Sequence, residues 1–392
     1  MMGFAALNPS YGPRLLSSVI RLALFYAALF AALGVQLPFL PVWLAAKGLD
    51  AAMIGLVLAV PMVVRVIVIP LATHAADRYQ ALRGVITTAA AAALIAYAAT
   101  ALAHGVAAIM IAFALASAFY TPLMPLADAY ALRGLGQLGR SYGPVRLWGS
   151  AAFIAGSFAA GFLLDVIAAG DLIWVIVAAM AVTAAAASAL APLSAHAGGA
   201  PHPLRSARVL LRDRGFIAVV AGAGLIQASH AIYYGFATLE WRAAGLGGGE
   251  IAALWALAVM AEIALFAVSS RLPIAPTALL LAGASGAVIR WSAMALDPLP
   301  PLLLLLQSLH ALSFGATHLA AVGFVARAAP IELGATAQGH LAVALGLVMA
   351  GAMGVSGVLY ARWGSLAYAA MAFVAFAGGL CAFAAYRMSD VR

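Results

Sequence analysis

The chain has 392 residues, of which 66% are hydrophobic and only 8% are charged. Soluble domains contain roughly 45–50% apolar and about 25% charged residues, so this composition excludes a soluble globular protein and indicates an integral membrane protein. The net charge of +8 does not indicate nucleic-acid binding, because the basic residues are scattered singly through short loops.

Apolar blocks recur along the whole sequence, and blocks of about 20 residues are long enough to cross a hydrocarbon core roughly 30 Å thick. The apolar run after Arg21 is too long for a signal peptide, so we expect no cleavage. The sequence predicts an all-α protein with twelve transmembrane helices. These are expected at residues 19–43, 51–72, 84–103, 106–129, 144–166, 172–192, 215–238, 250–269, 274–294, 299–326, 335–358 and 364–386.

Positive charge is distributed unequally between the two ends of these spans. If both chain termini are cytoplasmic, fourteen basic residues fall in cytoplasmic segments and three fall in the opposite segments. The three are Lys47, Arg242 and Arg362, and the fourteen are Arg14, Arg21, Arg78, Arg83, Arg133, Arg140, Arg205, Arg208, Arg212, Arg214, Arg271, Arg327, Arg387 and Arg392. This asymmetry predicts a multi-pass protein of a bacterial-type inner membrane with both termini cytoplasmic.

A segment rich in Pro, His and Arg divides the chain into two halves. We predict an N-terminal six-helix bundle at residues 1–193, a cytoplasmic linker at 194–214 and a C-terminal six-helix bundle at 215–392. The halves look duplicated, since the sequence after Trp43 is similar to that after Trp241, and Arg65 then aligns with Glu262. A parallel six-span repeat is typical of the major facilitator superfamily, whose substrate site lies near the midplane between the halves.

Three charged side chains lie inside predicted spans of the first half, at Arg65, Asp128 and Arg146. A charge at bilayer depth is costly unless it is paired or hydrated, so each is a functional candidate. Spans 4 and 5 are expected to be antiparallel neighbours that bring Asp128 and Arg146 face to face. The alternative is an ion pair that only joins the two helices.

The loop from Thr73 to Arg83 resembles the cytoplasmic signature of the superfamily, Gly-x-x-x-Asp-Arg-x-Gly-Arg-Arg. Asp77, Arg78 and Arg83 match this signature, whereas Thr73 and Gln80 replace glycines. The resemblance implies a role in conformational switching for Asp77 and Arg78, and we assign Arg65 to the same group. Positive charge that only sets the topology is the competing explanation.

The second half contains ionisable residues in spans 8 to 10. His310 and His318 are eight positions apart, so we expect them to share one helix face with Phe314. Histidine titrates near neutrality, and a solitary Glu262 favours its protonated form unless a nearby Arg290 favours the ionised one. Glu262, His310 and His318 are therefore proton-coupling candidates, with helix–helix hydrogen bonding as the alternative for the histidines.

Further motifs occur in a consistent order along the chain. They are Pro-Leu-x-Asp128-Ala, Tyr142-Gly-x-Val-Arg146-Leu-Trp148, Gln227-Ala-Ser-His230 followed by Tyr233-Tyr234, Leu254-Trp255, Ile289-Arg290-Trp291 and Gln307-Ser-Leu-His310. Together they resemble the bacterial 3-phenylpropionate permease family, which is related to the lactose permease type of proton symporters. The resemblance implies that Asp128 and Arg146 bind substrate. It also implies that Glu262, Arg290 and one of the span 10 histidines form a network for protons and substrate.

The sequence thus predicts a secondary active transporter of the major facilitator fold, a proton symporter that imports a small aromatic carboxylate such as 3-phenylpropionate. A proton-coupled sugar or nucleoside permease is the alternative. The substrate-binding candidates are Asp128, Arg146, Trp148, His230, Tyr234 and Arg290. Ordinary packing explains each of the aromatic residues equally well.

The sequence has no nucleotide-binding loop and no spacing typical of a metal site, so we expect no ATP-driven pump, no cofactor and no metal. An intramembrane enzyme is the rival class. It is disfavoured because the charges are spread over both halves of the chain. We expect a monomer whose partners are the lipid bilayer, a small-molecule substrate and protons, with no nucleic acid.

Overall fold

The computed structural model describes residues 11–79, 81–193, 212–269, 271, 274–328 and 334–390, so most of the predicted linker lies outside the described residues. The described residues form fifteen α-helices. They are α1 (Tyr11–Ala46), α2 (Ala51–Arg78), α3 (Leu82–Leu102), α4 (Val106–Tyr120), α5 (Leu123–Gln137), α6 (Tyr142–Leu164), α7 (Leu172–Ser188), α8 (Arg214–Ala228), α9 (Ala231–Ala243), α10 (Gly248–Ser269), α11 (Pro276–Met294), α12 (Pro300–Ser308), α13 (Thr317–Ala328), α14 (Gly334–Trp363) and α15 (Tyr368–Asp390).

These helices make twelve crossings of the bundle. Eleven stretches are long and apolar enough to span a membrane, and the last of them, Ala337–Met388, contains both α14 and α15. The predicted all-α fold is confirmed. Three crossings are divided into segments: span 4 into α4 and α5, span 7 into α8 and α9, and span 10 into α12, a π-helix at Ala311–Ala316 and α13.

The division of these spans concentrates irregular backbone near the middle of the bundle. The helix of span 7 is interrupted at Ser229 and His230, and that of span 4 at Thr121 and Pro122, where proline cannot donate a helical hydrogen bond. Irregular backbone at membrane depth is tolerated where it is buried in protein or lines a cavity. Polar side chains near the breaks can therefore point into the bundle.

Each face of the bundle can be defined by its loops. We call the face that carries loops 47–50, 103–105, 165–171, 244–247, 295–299 and 364–367 the distal face, and the opposite face the terminal face. The two halves meet where α2 packs along α14 and α6 packs against α10. Their backbones come closest near the distal face, at the pairs Gly55–Gly357 and Gly161–Gly248.

Asp165 joins the halves at the same place. Both of its carboxylate oxygens accept the backbone N–H of Gly248, at 3.1 and 2.9 Å, and Arg242 Nη1 lies 3.7 Å from Oδ1. A carboxylate at the start of α10 is stabilised by the exposed N–H groups and by the positive end of the helix dipole. The distal contact is therefore both tightly packed and charge-assisted.

The close approach at Gly248 gives a test of this contact. A side chain at Gly248 would overlap the carbonyl oxygen of Gly161, so Gly248→Leu should separate α6 from α10 at the distal face. We expect a reporter Ala252→Cys, placed at this interface in a Cys381→Ser background, to react faster with a hydrophilic maleimide in the Gly248→Leu variant. Gly351→Leu is the matched control, because a Cβ there meets no atom within 4 Å. Equal labelling rates in the two variants would contradict a packed distal contact.

Candidate functional site

The guanidinium of Arg290 lies at the centre of the C-terminal half with no exposed surface. Its Nη2 donates to Gln307 Oε1 at 2.6 Å, and its Nη1 donates to Ser313 Oγ at 3.2 Å and lies 3.0 Å from His310 Nδ1. The rings of Tyr233 and Trp291 flank it, each 4.5 Å from the guanidinium carbon. Hydrogen bonds and ring faces together compensate for removing this charge from water.

The contact with Arg290 determines which nitrogen of His310 carries a proton. An arginine only donates hydrogen bonds, so His310 Nδ1 is the acceptor and a neutral His310 carries its proton on Nε2. That nitrogen lies 3.7 Å from Glu262 Oε2. Glu262, His310 and Arg290 therefore form a line across spans 8, 10 and 9, with histidine in the middle.

His230 belongs to the same polar network and is completely buried. Its Nδ1 faces the carbonyl oxygens of Ile226 and Gln227 at 3.2 and 3.1 Å, and its Nε2 lies 3.1 Å from Ser313 Oγ. Since carbonyl oxygens only accept, Nδ1 carries the proton and Nε2 accepts the Ser313 hydroxyl. Every polar atom of the His230 ring is thus satisfied by protein.

The π-helix in span 10 lies directly beside these groups. Single-turn π segments are rare and frequently occur at functional sites. The rings of His310 and Phe314 stack at 5.1 Å between centroids, and those of Phe314 and His318 stack at 6.1 Å. The expectation that the two histidines share a face with Phe314 is confirmed. Only His310 reaches the Arg290 network, since His318 is exposed near Phe266.

An aromatic wall borders the network on span 7 and span 8. Tyr233 and Trp255 have ring centroids 4.6 Å apart, and Tyr234 stacks on Trp255 at 6.3 Å and on His230 at 5.7 Å. The Trp255 indole N–H donates to Thr238 Oγ1 at 3.0 Å. Tyr234 alone among these rings keeps some exposed surface, so it is the ring that a substrate can reach first.

In the N-terminal half, Asp128 and Arg146 do not pair as expected. Asp128 Oδ1 accepts the hydroxyl groups of Tyr26 and Tyr142 at 2.6 and 2.7 Å. The Arg146 guanidinium carbon lies 3.9 Å from the centroid of the Phe30 ring. No direct ion pair between Asp128 and Arg146 occurs within the part of the chain that the structure describes.

Arg146 lies on the helix through which the N-terminal half meets the C-terminal half. That helix, α6, packs against α10, which carries Glu262, and the Glu262 side chain keeps 19% of its surface exposed. Gly149 makes the position of Arg146 possible, because a Cβ there would lie 3.1 Å from Arg146 Nη1 and closer still to Phe30. The two halves thus each carry one charged residue on the pair of helices that joins them.

Comparison with known proteins places this arrangement in a family. Residues 19–373 match the model of the MFS_1 like family. The chain belongs to this family of major facilitator membrane transporters.

Two curated relatives and two solved structures agree with this assignment. The chain is 34% identical over 367 residues to the probable 3-phenylpropionic acid transporter of Escherichia coli (strain K12), covering 92% of this chain and 96% of the relative. It is 30% identical over 359 residues to the maltose permease of Geobacillus stearothermophilus, covering 87% of each. A mutant of the nucleoside transporter NupG has the same fold, with a TM-score of 0.83 and 16% identity over 94% of this chain and 99% of that chain.

A bacterial homologue of the human lysosomal transporter Spinster also shares the fold, with a TM-score of 0.74 and 16% identity over 96% of this chain and 98% of that chain. These relatives are membrane transporters, and the chain is accordingly a transporter of small molecules and not an enzyme. The expected major facilitator architecture is confirmed.

Some residues predicted from the sequence lie away from the central site of this major facilitator transporter. Trp148 is 61% exposed and lies two positions after Arg146 on α6, a spacing that places the two side chains on different sides of the helix. Arg65 contacts Met62 Sδ at 3.9 Å and packs beside Gly346 of α14, within the interface between the halves. Arg78 is exposed at the end of α2, and the side chain of Asp77 lies outside the described residues.

Other contacts were missed by sequence reasoning. Gln307 and Ser313 lie three positions before and after His310, a spacing that places them on the same side of span 10. That spacing was a signal from which these two contacts could have been predicted. The sequence offered no such signal for Tyr26 and Phe30 of span 1, because no local pattern of residues distinguishes an aromatic residue that packs from one that supports a charge.

The buried network around Arg290 predicts a large effect on stability. Arg290→Leu leaves Gln307, Ser313 and His310 without their donor, and removing one member of a buried polar network costs about 2–5 kcal/mol. We expect a clear decrease in the melting temperature of the detergent-solubilised protein, measured by the reaction of Cys381 with a thiol-sensitive dye. The control is Arg242→Leu, which removes the partly exposed ion pair with Asp165 and should change the melting temperature little. A similar decrease in melting temperature in both variants would contradict a special contribution of the Arg290 network to stability.

Proposed function

We propose that this chain is a proton symporter that imports a small aromatic carboxylate such as 3-phenylpropionate. The observation that carries the proposal is the placement of Arg146 on α6 and Glu262 on α10, the helices that pack together across the interface between the halves. A guanidinium with a planar set of donors suits a substrate carboxylate, and the faces of Phe30 and Tyr234 suit an aromatic ring. The identity to a probable 3-phenylpropionic acid transporter supports this substrate class.

The coupling step follows from competition for Arg146. When Glu262 is ionised, its charge attracts the guanidinium and disfavours a substrate anion beside it. When Glu262 takes up a proton, Arg146 loses that partner and engages the substrate carboxylate. Proton and anion therefore bind together, which is the requirement for symport.

His310 and Arg290 act together in this scheme. Neutral His310 directs its Nε2–H towards ionised Glu262, while Arg290 holds His310 Nδ1 as an acceptor, so the transported proton is carried by the Glu262 carboxyl group and His310 orients that group. Arg290 and His230 have no exposed surface, so we assign them positioning roles instead of direct substrate contact. His318 remains a candidate for passing protons between Glu262 and the terminal face.

We further propose that the terminal face is cytoplasmic and that the membrane is a bacterial inner membrane. Lys47, Arg242 and Arg362 lie at the distal end of the bundle, and the other basic residues of the loops are concentrated at the terminal end, as the positive-inside rule requires. Labelling the Ala252→Cys, Gly248→Leu variant in intact cells with an impermeant maleimide tests this orientation. Reaction only after the cells are broken would reverse it.

A sugar or nucleoside permease is the second candidate. It is favoured by Asp128 and its two tyrosine hydroxyl groups, which are suited to hydrogen-bonding a neutral substrate, and by the similarity to a maltose permease. Uptake of 3-phenylpropionate, its neutral amide, maltose and uridine by proteoliposomes distinguishes the two candidates. Preference for the amide or for either neutral substrate over the acid would refute the proposed substrate class.

The role of Arg146 predicts a specific loss. Arg146→Lys keeps the charge but not the planar fork of donors, so we expect the KM for 3-phenylpropionate to rise by about tenfold or more. Initial uptake rates over a range of substrate concentrations measure this change. The control is Arg83→Lys, in the first turn of α3 at the terminal face, where Nη2 donates to the Ser188 carbonyl oxygen at 3.0 Å. An unchanged KM in Arg146→Lys would make Arg146 a structural residue.

The role of Glu262 predicts a separation of two activities. Glu262→Gln mimics the protonated carboxyl permanently, so exchange of labelled for unlabelled substrate should continue while accumulation driven by a pH gradient should fail. Both are measured in the same proteoliposomes with and without the gradient. Glu250→Gln, an acid at the distal end of α10 that caps Gly247, serves as the control. If Glu262→Gln still concentrates substrate, the proton takes another route.

A further inference from the structure

Tyr26 and Tyr142 place two phenol groups on one carboxylate oxygen. Tyr26 comes from α1 and is completely buried, Tyr142 begins α6, and their rings meet edge to face at 6.2 Å. Hydrogen bonds from hydroxyl groups to an ionised carboxylate are short and strong, and 2.6 and 2.7 Å are typical of them. Asp128 is therefore held from two directions by neutral donors.

The same two tyrosines are next to Arg146. The guanidinium carbon lies 5.8 Å from the centroid of the Tyr26 ring, and Tyr142 lies one helical turn before Arg146 on α6. Asp128 and Arg146 thus contact the same side chains without pairing in the described structure. A carboxylate deprived of neutral donors in an apolar bundle would turn to the nearest cation, since an unpaired buried charge is costly.

We propose that the hydroxyl groups of Tyr26 and Tyr142 are positioning groups that hold Asp128 away from Arg146 and so keep this guanidinium available to an anionic substrate. An ion pair with Asp128 would occupy the fork of donors that a substrate carboxylate needs. The tyrosines thereby determine that the site accepts an anion. This inference rests on the proposed function, because the substrate charge is part of it.

The transport test uses Tyr26→Phe combined with Tyr142→Phe, which keeps both rings and removes both hydroxyl groups. We expect the KM for 3-phenylpropionate to rise about tenfold with kcat changed by less than about twofold, the effect of losing ground-state binding alone. Adding Asp128→Asn to this variant should restore most of the lost affinity, because the competing carboxylate is gone. Tyr120→Phe is the control, since its hydroxyl makes no hydrogen bond within the described residues. An unchanged KM, or a loss that Asp128→Asn does not reverse, would overturn the proposal.

A second measurement needs no substrate. In the parent protein, Asp128→Asn and Arg146→Gln should show only a small coupling in their effects on the melting temperature, because the two side chains share neighbours but are not paired. In the double phenylalanine background this coupling should become clearly larger, since the ion pair has formed. An equal coupling in both backgrounds would overturn the inference even if aromatic acids are transported. If the wild-type protein takes up no aromatic acid, the proposed function fails and this cycle still decides the inference.

If the double variant does not fold, Tyr142→Phe alone is used for both measurements, because Tyr142 is only partly buried. We expect the same direction of change, with a smaller rise in KM. The Asp128→Asn rescue remains the deciding result. A single variant whose lost affinity is not rescued by Asp128→Asn would again contradict the proposal.

Discussion

Arg290 is the group on which the organisation of the C-terminal half depends. A guanidinium without exposed surface is tolerated in a membrane span only when its donors and its charge are compensated by protein, and this requirement determines what surrounds it. Gln307 and Ser313 take its hydrogen bonds, Tyr233 and Trp291 cover its faces, and His310 completes the set. The irregular backbone of spans 7 and 10 occurs at the same level.

The burial of Arg290 affects the interpretation of the neighbouring groups. Because the arginine can only donate, it fixes the tautomer of His310, whereas the carbonyl oxygens of Ile226 and Gln227 fix that of His230. The histidine that faces Glu262 is therefore oriented by a charge that the substrate does not reach in this structure. The two arginines therefore differ in position. Arg290 supports the buried polar network, and Arg146 lies at the interface between the halves.

The position of Arg146 links the site to the movement of the halves. Near the distal face the backbones of α6 and α10 touch at Gly161 and Gly248, and Asp165 caps α10 from the other half. Arg146 lies on the same helix as Gly161 but nearer the terminal face. Glu262 likewise lies on the same helix as Gly248 but nearer the terminal face. In the proposed mechanism, a change in the attraction between Arg146 and Glu262 would act on the same pair of helices that packs at the distal face. Such a shared helix pair would link proton binding to conformational change.

The sequence by itself determined the all-α architecture, the twelve crossings and the membership of a transporter superfamily, because hydropathy, span length and ordered motifs are local properties of the chain. It also identified Arg146, Glu262, Arg290 and His310, since a charge inside an apolar span is conspicuous without any structure. The sequence predicted only some of the side chains that these residues contact. The expected network of Glu262, Arg290 and a span 10 histidine is present, with His310 between the other two, whereas Asp128 contacts two tyrosines and not Arg146. Tyr26 lies 102 positions from Asp128, so no spacing in the sequence indicated that contact. Only tertiary structure decided these contacts, because helix rotation and the crossing of distant spans depend on packing over the whole bundle and not on the spacing of residues within one helix.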